Sequence, residues 1–494
     1  MAAFRTHRVV KILAGLAASS LLLTGATAAS ADATAAAGWG PAQEVPGTAA
    51  LAGPDGQAQV SSVSCDSPGN CVAGGYYAVP KTPTVSAFQG FLVSQVNGKW
   101  GTAQPVPGLA ALNVGHNAQI SVVSCSSPGN CSAGGYYATV PAQFSVKTTA
   151  FVVSEVNGTW GQAEPVPGLA ALNTGDGATV VSLSCGAAGN CTAGGYYRLS
   201  PGQQAFVVSE VHGTWGQVQQ VRGVTDPNTV SSVSCTGPGD CAAGGTYSDS
   251  HGRTQGYVAD QKNGRWDQAR QLPGLSKLSR SPGGTTVSAV SCASPGNCAA
   301  GGSYAEHNQS QAFIDSERNG TWGQAAEIRG AAALKPDGQA DVDEVSCGSP
   351  GNCAAVGQTV QVVTSGDDMF DYETVFVVSE VKGVWGTARR VPGIARLNRG
   401  NSAQFFALDC PSAGNCVAGG FYANGGGVNQ AMLVSEVNGK WGAPAPIAGL
   451  AALTGTSGAA GIYAVSCAAA GQCSAGGYYL PHETPARALV VSRG

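Results

Sequence analysis

Charge is scarce in this chain. Only 11% of its 494 residues are Asp, Glu, Lys or Arg, and the formal net charge is −4. A surface so thinly charged carries no basic stripe, which excludes electrostatic capture of nucleic acid. Long apolar runs are missing too. The stretch from Ile12 to Leu23, behind Arg5, Arg8 and Lys11, falls short of the roughly 20 residues that a membrane-spanning helix needs. With small residues ending at Ala29-Ser30-Ala31 it reads as a secretory signal peptide, residues 1–31, leaving 32–494 as one mature domain. Its removal takes the formal charge to about −7. Only three methionines and 72 glycines suit a β-rich exported chain with many tight turns. No Ser-His-Asp arrangement, phosphate loop or metal-ligand motif is present, so no cofactor or metal is expected.

Cysteine, by contrast, is plentiful and regular. All 16 fall into Cys-x5-Cys pairs: Cys65/Cys71, Cys125/Cys131, Cys185/Cys191, Cys235/Cys241, Cys292/Cys298, Cys347/Cys353, Cys410/Cys416 and Cys467/Cys473. The pairs recur every 50 to 63 residues inside near-copies of one segment, and a period of that size marks a repeat architecture.

The third copy shows the unit. Ala178 to Cys185, Cys191 to Tyr197, Ala205 to Val211 and Thr214 to Val221 are rich in β-branched and aromatic residues bounded by Gly, Asn or Pro. They read as four strands, A to D. Between C and D stands Asn-Gly, at Asn97-Gly98, Asn157-Gly158, Asn263-Gly264, Asn319-Gly320 and Asn438-Gly439. Both residues tolerate positive φ, which predicts a type I′ hairpin turn. Five residues such as Asp66 to Asn70 join A to B and set the two cysteines opposite each other at the mouth of the hairpin. A Cα spacing of about 5.5 Å across such a hairpin suits a disulfide. Zinc is the rival reading, but it favours gaps of about two to four residues with a second pair or histidines nearby. The six histidines (His7, His116, His212, His251, His307 and His482) are scattered, and Cys-x-x-Cys is absent, which also argues against redox catalysis. Disulfides in an exported protein are expected.

A four-stranded antiparallel meander repeated about an axis is a β-propeller blade. Eight cysteine pairs mark eight A-B hairpins, and Trp39, Trp100, Trp160, Trp215, Trp266, Trp322, Trp385 and Trp441 mark eight D strands. The ends complement each other. The chain stops at Leu489 to Gly494, after strand C of the last copy, while Gly38 to Pro46 is a D strand with no blade of its own. Pairing them would close the ring, which an open solenoid does not require. The expected fold is therefore all-β, an eight-bladed propeller whose N-terminal strand completes the last blade, with one disulfide within each A-B hairpin.

In this arrangement the A-B and C-D turns share one monotonous face, and the B-C and D-A loops share the other. The B-C loops vary most: Val79 to Phe88, Thr139 to Val146, Ser248 to Arg253 and Thr364 to Glu373. Loops on a rigid scaffold usually carry binding, so the variable face is the expected working surface.

Residues repeated across blades serve the frame, as Glu155, Glu210, Glu380 and Glu436 do by occupying one Ser-Glu-Val position. Tyr76/Tyr77, Tyr136/Tyr137, Tyr196/Tyr197 and Tyr478/Tyr479 end strand B beside the variable face, as core residues with hydroxyls at the rim or as a platform for sugar rings. Departures concentrate in copies six and seven. Strand A there carries Asp341, Asp343, Glu344 and Asp409, and the sixth B-C loop carries Asp367, Asp368, Asp371, Tyr372 and Glu373. Near the axis these carboxylates would bind a cation or a basic partner group, or else pair with Arg389, Arg390, Arg396 and Arg399 downstream. A sialidase is the natural catalytic alternative, but Ser154-Glu-Val-Asn-Gly-Thr-Trp160 lacks the Asp of an Asp-box and is one residue short. A non-enzymatic role is the reading that remains.

The repeated Ser-Cys-x-Ser-Pro-Gly-Asn-Cys-x-Ala-Gly-Gly-Tyr-Tyr, Val-Asn-Gly-x-Trp-Gly and Val-Pro-Gly-x-Ala-Ala-Leu-Asn resemble those of secreted actinobacterial β-propellers. The resemblance covers the whole mature chain. It implies a non-enzymatic extracellular or cell-wall role, with a secreted metalloprotease or a transglutaminase as partner and glutamine donors such as Gln203 and Gln204. A lectin-like propeller binding cell-wall glycan, with one sugar site per blade, is the alternative.

Overall fold

The computed structural model describes residues 38–494 except 83–84, 141–146, 201, 280–282, 308, 335–337, 366–367, 456–457 and 482–484. The expected signal peptide lies outside them.

Eight antiparallel sheets follow one another along the chain, each in the order A-B-C-D. Blade one is built from Gln57–Ser67, Asn70–Thr82 and Val85–Val96, with strand D split into Lys99–Trp100 and Gln104–Pro105. Both pieces pair with strand C, and the break between them is spanned by the Gly101 N–H donating to the Ser94 carbonyl at 2.9 Å. The sequence had suggested one continuous D strand. Each A strand packs against the A strands of both neighbouring blades, and Gln57–Ser67 meets Ala460–Ala469 of blade eight, so the A strands encircle the axis.

Closure follows the expected scheme. Blade eight consists of Ala460–Ala469, Gln472–Tyr479 and Arg487–Arg493 completed by Gln43–Glu44 from the other end of the chain. Gln43 pairs with Val490, Glu44 with Leu489 and Trp39 with Arg493, and the Tyr479 hydroxyl donates to Glu44 Oε2 at 2.8 Å.

All eight disulfides form within their own hairpins, and no cysteine is free. They join Cys65 to Cys71, Cys125 to Cys131, Cys185 to Cys191, Cys235 to Cys241, Cys292 to Cys298, Cys347 to Cys353, Cys410 to Cys416 and Cys467 to Cys473. One expectation about them needs correction. Their Cα atoms lie 3.9 to 4.0 Å apart, closer than expected, and seven of the eight pairs face each other directly across the ladder. The paired cysteines sit beside the hairpin turn, as expected, and the strand B member is buried in every blade: Cys71, Cys131, Cys191, Cys241, Cys298, Cys353, Cys416 and Cys473. The reason is contact with the preceding blade. Cys71 Sγ lies 3.4 Å from Ser474 Oγ of blade eight, and Cys191 Sγ lies 3.4 Å from Ser132 Oγ of blade two. These sulfurs are packing groups between blades, not ligand-binding positions.

The expected five-residue A-B loop is also shorter. Strand A runs on to Ser67, which pairs with Asn70, leaving Pro68 and Gly69 (φ 73) as the turn and Asp66 as a bulge. The Asn-Gly turns have positive φ at both residues, 50 and 79 at Asn97-Gly98, as a type I′ turn demands. The two turns clamp each other: Gly98 N–H donates to the Gly69 carbonyl at 2.8 Å and Asn97 N–H to Asn70 Oδ1 at 3.2 Å. Blades two to seven repeat both bonds, with Asp240 replacing the Asn in blade four. Both turns therefore share one face.

Blades pack through missing side chains. A Cβ on Gly74 of strand B would lie 2.7 Å from Ile120 Cγ2 of the next blade, so the apolar A strand docks where strand B has nothing. A Cβ on Gly75 would lie 1.9 Å from the Gln59 carbonyl oxygen, which the bulged A-B ladder brings against it. Farther out, Ser154 Oγ donates to Glu210 Oε1 of the next blade at 2.7 Å and accepts the Trp215 indole N–H at 3.0 Å. Ser316 with Glu380 and Trp385, and Ser379 with Glu436 and Trp441, repeat this knot. Glu210, Glu380 and Glu436 thus serve the frame, as expected, whereas Glu155 is buried with its Oε2 unpartnered.

Seven D-A connections contain a four- or five-residue helix, such as Leu109–Leu112 and Leu169–Leu172, whose first leucine is buried; the connection into blade four, residues 221–227, has none. Among the described residues no helix is long and apolar enough to cross a membrane.

Candidate functional site

Strand A lines the axis, and one ring of bonds there belongs to the frame. Ser64 Oγ accepts the Cys125 N–H of the next blade at 2.9 Å, and Ser124, Ser184, Ser234, Ser291, Ser346 and Ser466 repeat the bond. In blade seven Asp409 takes over, accepting the Cys467 N–H on Oδ2 at 2.6 Å. Burial pushes its carboxyl up to about 6, against hydrogen bonds from the Cys467 and Cys410 N–H groups and from Ser466 and Ser346 that favour the anion. Asp409 is thus a frame residue, a correction to its reading as a binding group.

Nearer the loop face one of the positions at which the copies diverge is a bulge in strand A. The A-B ladder slips by one residue between Val60 and Ser62, making Ser61 an extra residue, and the slip recurs in every blade. Blades one to five place Ser61, Ser121, Val181, Ser231 and Ser288 there; blades six to eight place Asp343, Phe406 and Tyr463.

Aromatic rings gather around this point. Phe406 lies 4.8 Å from Tyr463 and 5.7 Å from Phe421 between ring centroids, and Tyr463 stacks on Tyr478 at 5.6 Å. Burial pushes the Tyr463 hydroxyl up to about 12, with added repulsion from Tyr478 and Tyr76, while Tyr136 feels Tyr76 and Tyr196. These tyrosines thus continue the aromatic arc from blades seven and eight through blades one to three. In blades four to six Thr246, Ser303 and Gln358 hold the position of Tyr76. The tyrosine pairs divide their roles: Tyr77, Tyr137, Tyr197 and Tyr479 are buried in the blades, whereas Tyr76, Tyr136, Tyr196 and Tyr478 are half-buried toward the axis.

Beside the arc stands the acidic strand of blade six. Asp341 Oδ1 accepts the Ser310 hydroxyl at 2.6 Å. Burial holds the Asp343 carboxyl well above the usual range, reinforced by the charges of Asp341, Glu344 and Glu373, and Asp343 Oδ2 has no hydrogen-bond partner. Burial likewise pushes Glu344 up to about 8. The downstream arginines leave this cluster alone. Among the described residues no ion pair joins Asp341, Asp343 or Glu344 to Arg389, Arg390, Arg396 or Arg399; Arg390 donates instead to the Leu334 carbonyl and Arg399 to that of Arg396.

The expected loop from Thr364 to Glu373 is a hairpin arm formed by Asn352–Ser365 and Asp368–Val381. Asp371 is exposed on it and Tyr372 half-buried; Asp367 and the side chain of Asp368 lie outside the described residues. Glu373 docks on blade seven, accepting the Ser402 hydroxyl on Oε2 at 2.6 Å. Gln203 and Gln204 belong to strand Gln203–Val211 rather than to an exposed loop. The Gln204 amide is engaged by the Tyr197 hydroxyl, by Gln220 and by Asp226 Oδ2 at 2.7 Å.

Clefts also open on the disulfide face, whose turns are alike from blade to blade. They lie between blades four and five (about 290 Å³), three and four (about 360 Å³), eight and one (about 360 Å³) and seven and eight (about 170 Å³). Among the described residues Asp66, Cys125 and Cys131 bring potential metal-ligand atoms together, but both sulfurs are joined in a disulfide.

The class is that of an eight-bladed, disulfide-stapled β-propeller with one asymmetric end to its axis. No known family profile matches the chain, and no curated protein is similar enough to match. Solved structures similar to it include Sqt1 from Chaetomium thermophilum, at 11% identity over 88% of this chain and 95% of that one with a TM-score of 0.48. The Hadza microbial sialidase Hz136 matches at 8% identity over 71% and 68% of the two chains, with a TM-score of 0.35. The β-propeller domain of the trilobed protease from Pyrococcus furiosus matches at 6% identity over 78% and 97%, with a TM-score of 0.40. These neighbours differ in function, and likeness at this level says nothing about activity.

Proposed function

We propose that this is an exported, non-enzymatic binding protein that captures a basic segment of another exported protein at the loop-face end of its axis. The observation carrying this reading is that Asp343, Phe406 and Tyr463 depart from the repeat at one position in three consecutive blades. A symmetric ligand would have favoured eight equal positions; one altered sector suits one partner. Aromatic faces beside carboxylates, one of them with an unpartnered oxygen, suit a Lys or Arg side chain through cation–π contact and charge-assisted hydrogen bonding. Export is supported by the signal-like first 31 residues and by eight disulfides, which persist in oxidising compartments.

The resemblance to secreted actinobacterial propellers makes a secreted neutral metalloprotease and a transglutaminase the first partners to measure. Replacing Asp343, Phe406 and Tyr463 each by the Ser of blade one should weaken binding to the purified partner at least tenfold, and added salt should weaken the unaltered protein. If neither enzyme binds, or if the altered protein binds as tightly, the reading is wrong.

A lectin is the second reading, favoured by the recurrence of inter-blade clefts on the disulfide face. It predicts multivalent binding to a glycan array that survives the triple replacement.

A further inference from the structure

We infer that a hard divalent cation binds in the cleft between blades four and five on the disulfide face. The knot of Ser, Glu and Trp that joins neighbouring blades is altered here. Asp260 stands where the other seven blades have Ser94, Ser154, Ser209, Ser316, Ser379, Ser435 and Ser492. Its Oδ2 pairs with Arg270 at 2.7 Å, but its Oδ1 is buried without a partner. Glu317, the counterpart of Glu210 and Glu380, approaches from the opposite wall, and its Oε1 also lacks a partner. The Trp322 indole N–H has no acceptor, whereas those of Trp100, Trp215, Trp385 and Trp441 find the serine; Trp39 and Trp266 also go without.

Asp260 is 4% exposed and Glu317 3%, yet both line a cleft of about 290 Å³. Leaving buried carboxylate oxygens unpaired is costly, and two facing anions add repulsion, which a cation between them would relieve. The donors are hard oxygens from opposite walls with space for water, which fits Ca²⁺ or Mg²⁺ rather than a thiophilic metal. Lys262, exposed at the rim, competes with the ion, so affinity in the range of extracellular calcium modules, about 10⁻⁴ to 10⁻³ M, is expected.

The test uses the full protein stripped with EDTA. Tb³⁺ should give luminescence excited through the adjacent Trp322 indole and displaced by Ca²⁺, and millimolar Ca²⁺ should raise the thermal midpoint by a few degrees. Asp260→Ser restores the residue of the other seven blades, so it should fold while losing both effects. Glu317→Gln, of unchanged shape, should weaken Ca²⁺ at least tenfold and decides the matter if Asp260→Ser fails to fold. An unaltered protein indifferent to millimolar Ca²⁺ and Mg²⁺, or a folded Asp260→Ser protein that keeps the shift, overturns the inference.

Discussion

Cys467 donates its N–H to Asp409 Oδ2 at 2.6 Å, in the place where Cys125 donates to Ser64 Oγ at 2.9 Å. One carboxylate thus takes a hydroxyl's part in the ring of inter-blade bonds. Asp409→Ser should preserve the ring, remove a crowded charge and leave stability equal or higher. Asp409→Ala should strand the Cys467 N–H and cost about 1–3 kcal/mol. Thermal unfolding followed by circular dichroism separates the two.

Stability should fall as the pH rises through neutrality. Burial raises Glu344 to about 8 and moves Asp343 in the same direction, so the folded chain keeps protons that the unfolded chain releases above about pH 4. The stabilisation is complete below that pH and is lost as pH approaches 8. Urea midpoints at pH 5 and pH 8 should differ in that sense, and Glu344→Gln should narrow the gap. An unchanged gap would mean that Glu344 ionises normally in the folded protein.

The inter-blade gap at Gly74 should not tolerate a methyl group. An added Cβ would meet Ile120 Cγ2 at 2.7 Å and Val123 Cγ2 at 2.8 Å, both on the neighbouring blade. Gly74→Ala is expected to destabilise by about 1–3 kcal/mol through overpacking, without change in the far-ultraviolet spectrum. Guanidinium unfolding measures it.

Removing residues 38–46 should open blade eight. Leu489 and Val490 would lose their β-partners Glu44 and Gln43, exposing a strand edge. The shortened protein should unfold at lower temperature and scatter light at concentrations where the full chain stays clear, and a peptide of residues 38–46 should restore part of the loss.

Blade number, disulfide pairing, the Asn-Gly turns and ring closure were all legible because each leaves a residue-type signature at fixed spacing. The depth of Cys71 or Cys473 was not, since it depends on how closely the preceding blade approaches. The site was less legible still. Phe406 and Tyr463 sit on bulges, where an extra residue breaks the alternation that places side chains on one face or the other. Asp343 stood out by its charge, but its distance from Arg389 and Arg390 depends on blade geometry that sequence adjacency does not express. The helices such as Leu109–Leu112 are too short to show a period. Asp260 could have been found, since aligning the Ser-Glu-Val segments exposes it, but a single Ser-to-Asp change carries meaning only once Glu317 is known to face it.

Every disulfide closes a span of six residues within one hairpin, and none crosses from blade to blade. The molecule is a bracelet whose links are riveted singly while its clasp holds by hydrogen bonds and packing alone. Because Trp39 lies beside Arg493, tension applied at the two ends peels the clasp one pair at a time. The torus would spring open with all its covalent rivets intact.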